Sequence, residues 1–272
     1  AFATIFAAYR DTVINSYYGE MATVIQYPMS NTSWAAPKPA DEGYQIAYSV
    51  DADGNSIYTA DMTDEQKYEA ALQASISFFK AAGYTFDEAT GKFTAAPEGA
   101  EMTYEVIIPG GGTGDHPAFG ILTAAKEALA TIGITLQIND PSDSSVWNNA
   151  LEANTAEMWA GAWGATVDPD MYQVYHSDNS NGKGTNSNHY SIEDADLDEM
   201  IIAARNSADQ SYRKATYKEC LETILDWGVE IPTYQRQNAV VISTERVNVS
   251  TMTPDITTFW GWTNDIEKLE MN

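Results

Sequence analysis

The chain has 272 residues, 44% of them apolar, enough for one large α/β domain or two small ones with a sizeable core. Fourteen basic residues against 39 acidic ones give a formal charge of −25, which repels phosphate backbones and anionic lipid and argues against nucleic-acid or membrane-surface binding. A single cysteine, Cys220, rules out a disulfide framework or a Cys-rich metal site within the chain, and no apolar run approaches the ~20 residues of a membrane span.

In chain order, the apolar start AFATIFAAYRDTVI carries no basic leader and reads as helix to about Gly19. Residues 28–43 are turn-rich and cross the surface. Tyr44–Val50 alternates like a strand, and Asp51-Ala-Asp-Gly54-Asn55 turns into a second short strand near Ile57. That turn is not a calcium loop: its glycine falls at loop position 4, and Met62 stands where the bidentate Glu belongs. Thr63 and Gln66 form a capping box for a helix in which Tyr68, Ala71, Leu72, Ile76 and Phe79 share the core face, and Gly83 stops it.

A β-α-β-α-β unit follows: strand Tyr104–Ile108, helix to about Ile132 with Gly133 as stop, strand Ile134–Ile138, helix from about Ser142, strand Met158–Trp163. Short connections make these strands parallel. Residues 177–189 are a polar loop. Helices follow near Ile192–Arg205 and Ala208–Trp227, the second placing Tyr217, Cys220, Leu221 and Ile224 on one buried face. Strands around Ile231–Tyr234 and Ala239–Ser243 close the chain. No repeat or composition break divides it, so residues 1–272 read as a single α/β lobe.

The glycine loop after the first strand of this unit, Pro109–Gly114, resembles a phosphate site but fails both tests. Gly114 is followed by Asp115 and His116, not Lys-Ser/Thr, and Pro117 occupies the third glycine of a dinucleotide fingerprint. Asp115 reads as a helix N-cap with Pro117 in the first turn. No cofactor is implied. The loop does lie at the carboxyl end of its strand, the edge where ligands collect on parallel sheets. The same edge carries Trp163-Gly-Ala-Thr-Val-Asp168-Pro-Asp170, with an indole at a strand end, where it offers an apolar face to a ligand or closes the core edge.

Taken in order, Trp163–Asp170, the polar loop with Asn188 and Tyr190, the acidic helix, Ser211–Tyr217 and GluIlePro232ThrTyr234 resemble the family 5 extracellular solute-binding proteins of ABC transporters. Tyr9–Ile14, Gly83-Tyr84 and the Ile132-Gly-Ile step fit as well, so the resemblance runs nearly the whole chain. It implies a type II periplasmic-binding-protein-like lobe with a mixed, mostly parallel sheet flanked by helices. It further implies that this is the second lobe, the first preceding Ala1, and that the protein lies outside the cytoplasm, in the periplasm or held by a lipid anchor outside this chain. The partners implied are a peptide or other small solute in the interlobe cleft and the permease subunits of the transporter. The ligand-binding residues carried by the resemblance are Trp163, Asp168, Asn188, Tyr190, Tyr234, Gln235, Arg236 and Asn238. Asp168 before Pro169 equally forms a turn, and Arg236 equally forms an ion pair. Thr166 stands where many peptide binders of the family place an aspartate for the peptide amine. An oligosaccharide is the alternative ligand. A carboxylate-dependent glycoside hydrolase is the alternative class, resting on Asp168 and Asp170, but two acids on one loop lack the separate environments of an acid and a base.

Overall fold

The fold, a computed structural model, is described for residues 1–254, 256–257 and 260–272. Two short helices open it, α1 (Phe2–Ala8) and α2 (Arg10–Tyr18), broken at Tyr9 where one continuous helix to Gly19 is expected from the sequence. Strand β1 (Ala22–Val24) follows. Helix α3 (Asp64–Ala81) starts at the anticipated box: Gln66 N–H donates to Thr63 Oγ1 at 3.3 Å, and Thr63 N–H donates to Gln66 Oε1 at 2.8 Å. A hairpin of β2 (Thr85–Asp87) and β3 (Lys92–Ala95) has no counterpart in the sequence reading.

The β-α-β-α-β unit is present as β4 (Thr103–Ile107), α4 (Pro117–Thr131), β5 (Thr135–Asn139), α5 (Ser144–Glu152) and β6 (Met158–Trp159). Its three strands form one parallel sheet in the order β5-β4-β6. The expected α/β architecture therefore holds, with the antiparallel pairs in separate two-stranded ladders. Strand β6 is shorter than Met158–Trp163, so Trp163 lies beyond the ladder. The N-cap of α4 is His116, not Asp115: helical backbone begins at Pro117, and His116 Nδ1 takes the Ala118 N–H at 3.1 Å. Burial lowers the His116 pKa, which keeps the ring neutral and able to accept.

After α6 (Tyr172–Tyr175) come α7 (Ala195–Asn206) and α8 (Gln210–Trp227), each starting at an aspartate cap, Asp194 and Asp209. Gly228, in the left-handed region, ends α8. Strand β7 (Tyr234–Arg236) pairs antiparallel with β1, Ala22 opposite Arg236. Three expected strands are absent, at 44–50, near Ile57 and at 239–243. Residues 44–50 take their bonds from side chains, with Gln45 N–H donating to Tyr27 Oη and Ala47 N–H to Gln26 Oε1, and only Val50 bridges to Ser56. Residues 239–243 have no strand partner, and Val241 is 95% exposed.

The apolar faces bury into two cores. The first joins α1, α3, α4 and the parallel sheet through residues such as Ile5, Phe79, Ile108, Leu129 and Leu136. The second joins α7 and α8 through Leu197, Ile201, Tyr217, Cys220 and Leu221. Arg10 ties them. It is 3% exposed, and its guanidinium donates to the carbonyls of Ala7, Ile25 and Pro232, to Gln26 Oε1 at 3.1 Å, and to the carbonyl of Ala47, a residue of the second core.

Candidate functional site: an aromatic cluster at the sheet edge

The chain leaves β6 at its carboxyl end and runs through Ala160-Gly161-Ala162 to Trp163. Only glycine fits at 161: a Cβ there would lie 2.8 Å from the Trp159 ring and 3.2 Å from that of Trp147. Trp147, on α5, donates its indole N–H to the Ala160 carbonyl at 2.9 Å. Trp159 and Trp147 meet edge to face at 76°, and His189 meets Trp159 at 89°. These rings and Trp163 line a cavity of about 110 Å³. Trp163 is 47% exposed.

Behind the cavity lies a chain of hydroxyls. Trp163 Nε1–H donates to Tyr190 Oη at 3.4 Å, Tyr190 stacks on Tyr175 at 13°, and Tyr175 Oη–H donates to Glu230 Oε2 at 2.8 Å. Tyr190 also bonds the Glu230 carboxylate. Glu230 is half-buried as a residue, but its carboxylate is enclosed. Burial raises its pKa to about 7, and the two tyrosine hydroxyls oppose that rise. Burial also drives Tyr175 and Tyr190 well above their ordinary range.

The eight expected ligand residues fall into distinct places. Trp163 and Tyr190 come together in this cluster. Asn188 is fully buried: its amide donates to the carbonyls of Tyr175, His176 and Ile192 and accepts from the Ile192 N–H. It builds the loop that carries Tyr190 and presents nothing to a ligand. Asp168 is gripped by Arg213 of α8 through two bonds, 3.0 and 2.7 Å, while Asp170 pairs with Arg205 of α7 at 3.2 Å. The two carboxylates are thus tied to different arginines, and each fixes the Trp163 loop to the α7–α8 pair. Thr166 turns its hydroxyl inward, donating to the Asp168 carbonyl at 2.5 Å.

Tyr234, Gln235 and Arg236 make up β7, and Asn238 follows it, exposed. Tyr234 Oη lies 3.4 Å from Tyr18 Oη, and Gln235 Oε1 accepts the Asn31 N–H at 2.8 Å. Arg236 has no ion-pair partner among the described residues and is exposed. The link between the β7 group and the aromatic cluster is Glu230, which sequence reasoning passed over. Its signal was an acid set between apolar Val229 and Ile231 just after a helix stop. Among the described residues no three His, Cys, Asp or Glu side chains gather as a metal site would need. Among the described residues no helix is long and apolar enough to cross a membrane.

No protein-family model matches the sequence, and no curated protein matches it. Solved structures do match the fold. The oligopeptide-binding protein AppA from Bacillus subtilis, in complex with a nonapeptide, superposes with a TM-score of 0.62 at 16% identity over 87% of this chain and 42% of its own. NikZ from Campylobacter jejuni, in complex with Ni(L-His), gives 0.61 at 17% over 86% and 41%. The ABC transporter-associated periplasmic binding protein DppA from Helicobacter pylori, in complex with the peptide STSA, gives 0.56 at 18% over 86% and 37%. The chain has the fold of part of a type II periplasmic binding protein, and it spans about two fifths of the length of the structures it matches.

Proposed function

We propose that this chain is the second lobe of the substrate-capture protein of an ABC importer, and that its ligand is a peptide. The observation that carries the reading is an aromatic platform at the carboxyl edge of a parallel sheet, in a fold whose solved neighbours include two in complex with peptides. The ligand lies between this lobe and a first lobe, and closure over it shifts the open and closed populations. Trp163 and Tyr190 give it an apolar face. Tyr234, Gln235, Arg236 and Asn238 give it hydrogen-bonding groups, and Asp168 acts by fixing the Trp163 loop. The protein works outside the cytoplasm, docking on permease subunits, and any membrane attachment is a lipid anchor outside this chain. Against the hydrolase alternative, Asp168 and Asp170, the candidate acid and base, are each tied to an arginine that anchors the loop.

Half of a two-sided site binds poorly, because each 1.4 kcal/mol of lost contact is about tenfold in affinity. Calorimetry of this chain alone with peptides is expected to give dissociation constants weaker than micromolar, and a micromolar or tighter complex overturns the two-lobe reading. Thr166 offers no charge to a peptide amine. Two peptides differing only by N-terminal acetylation are therefore expected to bind the two-lobe protein within about tenfold, since neutral hydrogen bonds are worth about 1 kcal/mol. A hundredfold loss on acetylation means an ionic anchor exists elsewhere.

A further inference from the structure

The cavity is walled by the rings of Trp147, Trp159 and Trp163 with Leu151 and Gly161, and it carries polar groups at Asn148, Glu152 and His189, whose buried Nδ1 has no hydrogen-bond partner among the described residues. The polar atoms of two of its indoles are already engaged, Trp147 Nε1–H by the Ala160 carbonyl and Trp163 Nε1–H by Tyr190, so those side chains offer chiefly ring faces and ring edges to an occupant. Its volume, about 110 Å³, is far above the roughly 10–15 Å³ that one water needs and near the ~150 Å³ of an apolar cavity that takes up benzene. The angles select the shape of the guest. Trp147 and His189 both stand nearly perpendicular to Trp159, at 76° and 89°. Tyr190 already packs against Trp159 at 5.2 Å and does not line the cavity, so a flat guest ring has the remaining surface of Trp159 and the perpendicular rings of Trp147 and His189 beside it, and offset-stacked and edge-to-face contacts are the favoured arrangements between aromatic rings. A branched aliphatic group gains no such geometry. The cavity adjoins the exposed Trp163 just past the carboxyl end of β6, where the backbone of a bound peptide would run.

We propose that this cavity is a side-chain subsite for a phenyl or phenol ring of the captured peptide, so that the parent protein prefers peptides carrying Phe or Tyr. The assignment rests on the peptide-capture reading. Gly161 is the residue that permits it, since a side chain there would drive Trp159 and Trp147 apart.

The test follows the indole N–H signals of the intact 272-residue chain by nitrogen-edited NMR during titration with p-cresol and, separately, with isobutanol. The signals of Trp147, Trp159 and Trp163 are expected to shift saturably with millimolar p-cresol, with isobutanol at least tenfold weaker. Trp147→Ala is expected to weaken p-cresol at least tenfold. The half-exposed Trp163→Ala serves as a second variant whose folding does not depend on the cavity, with a loss of threefold or more expected. No saturable shift, equal binding of isobutanol, or an unchanged constant in both variants overturns the subsite. Peptide capture is read apart, by displacing p-cresol with Ala-Tyr-Ala. A tripeptide that fails to displace a bound cresol overturns the peptide as occupant, whereas a missing cresol shift overturns the cavity itself.

Discussion

Arg213 illustrates how one side chain fixes a loop. It bonds both oxygens of Asp168, the Ala204 carbonyl at 2.9 Å and Tyr217 Oη at 3.1 Å, and the Asp168 bond leads the causes that raise its pKa. The two partners are unequal. The Asp168 side chain is 57% exposed and that of Arg213 is 15% exposed. Asp168→Asn is therefore expected to cost less than about 1 kcal/mol, as solvent screens the pair. Arg213→Met is expected to cost about 2 kcal/mol or more, because buried acceptors lose their donor. Urea unfolding measures both, and equal losses would contradict this account. Glu230 gives a signed pH dependence. Its carboxyl is raised from 4.5 to about 7 by burial, against the hydroxyls of Tyr175 and Tyr190, while Tyr48 Oη–H donates to its carbonyl at 2.5 Å. The folded state then holds a proton that the unfolded state releases between pH 4.5 and 7, so this group's contribution to stability falls as pH rises through that window. Glu230→Gln removes the slope. Relative to the parent chain it is expected to gain stability from pH 5 to pH 8, and a constant difference across that range refutes the assignment.

At the scale of elements, the helices and the three strands of the parallel sheet were legible and the antiparallel strands were not. Thr63 with Gln66 announced α3, and the faces of α3 and α8 followed from apolar spacing because their caps and packing agree with local propensity. Tyr44–Val50 alternates as a strand does, yet side chains of Gln26 and Tyr27 take up the backbone bonds that a neighbouring strand would make. Strand β7 was placed two or three residues early, since its partner β1 lies at the other end of the chain and no local pattern reports it. The site divides in the same way. Trp163 stood out as an indole at a strand end, but Trp147 and His189 come from other elements and join it only through the fold. Gly133 shows a local signal with a tertiary reason. It stops α4 at φ +85°, and a Cβ there would lie 2.7 Å from the Phe93 carbonyl in the β2–β3 hairpin. Gly133→Ala is expected to cost about 2 kcal/mol, from left-handed backbone and from displacing β3. Gly164→Ala, with no atom within 4 Å of its added carbon, is expected to stay within about 0.5 kcal/mol. Paired thermal melts of the two variants decide this, and a neutral Gly133→Ala refutes it.

At the scale of the molecule, two cores raise the question of whether they melt together. Arg10 answers structurally. Its guanidinium is buried without a carboxylate partner, and burial lowers its pKa, so its charge is held by main-chain and amide oxygens alone. Those oxygens belong to segments far apart in sequence: the end of α1, the turn after β1, residue 47 and Pro232. The chain is expected to unfold in one calorimetric transition. Arg10→Met, which leaves these carbonyls without a donor, is expected to cost about 3 kcal/mol and to split the transition in two. Two transitions in the unaltered chain would count against the coupling.

The β1–β7 ladder carries a consequence for the order of events during synthesis. Tyr18, just before it, and Tyr234, within it, are 216 positions apart, and Arg10 lies 222 positions before Pro232. At roughly 5–20 residues per second, the first strand leaves the ribosome on the order of 10–40 s before its partner. Through that interval Arg10 lacks one of its acceptors, and the second core is incomplete until α8 has been made. The nascent chain therefore passes through a stage in which the first core can form around α1, α3 and α4 while β1 remains an open edge. A holding factor that recognises such an edge has tens of seconds in which to act, and its hold is released by the arrival of three residues, Tyr234, Gln235 and Arg236.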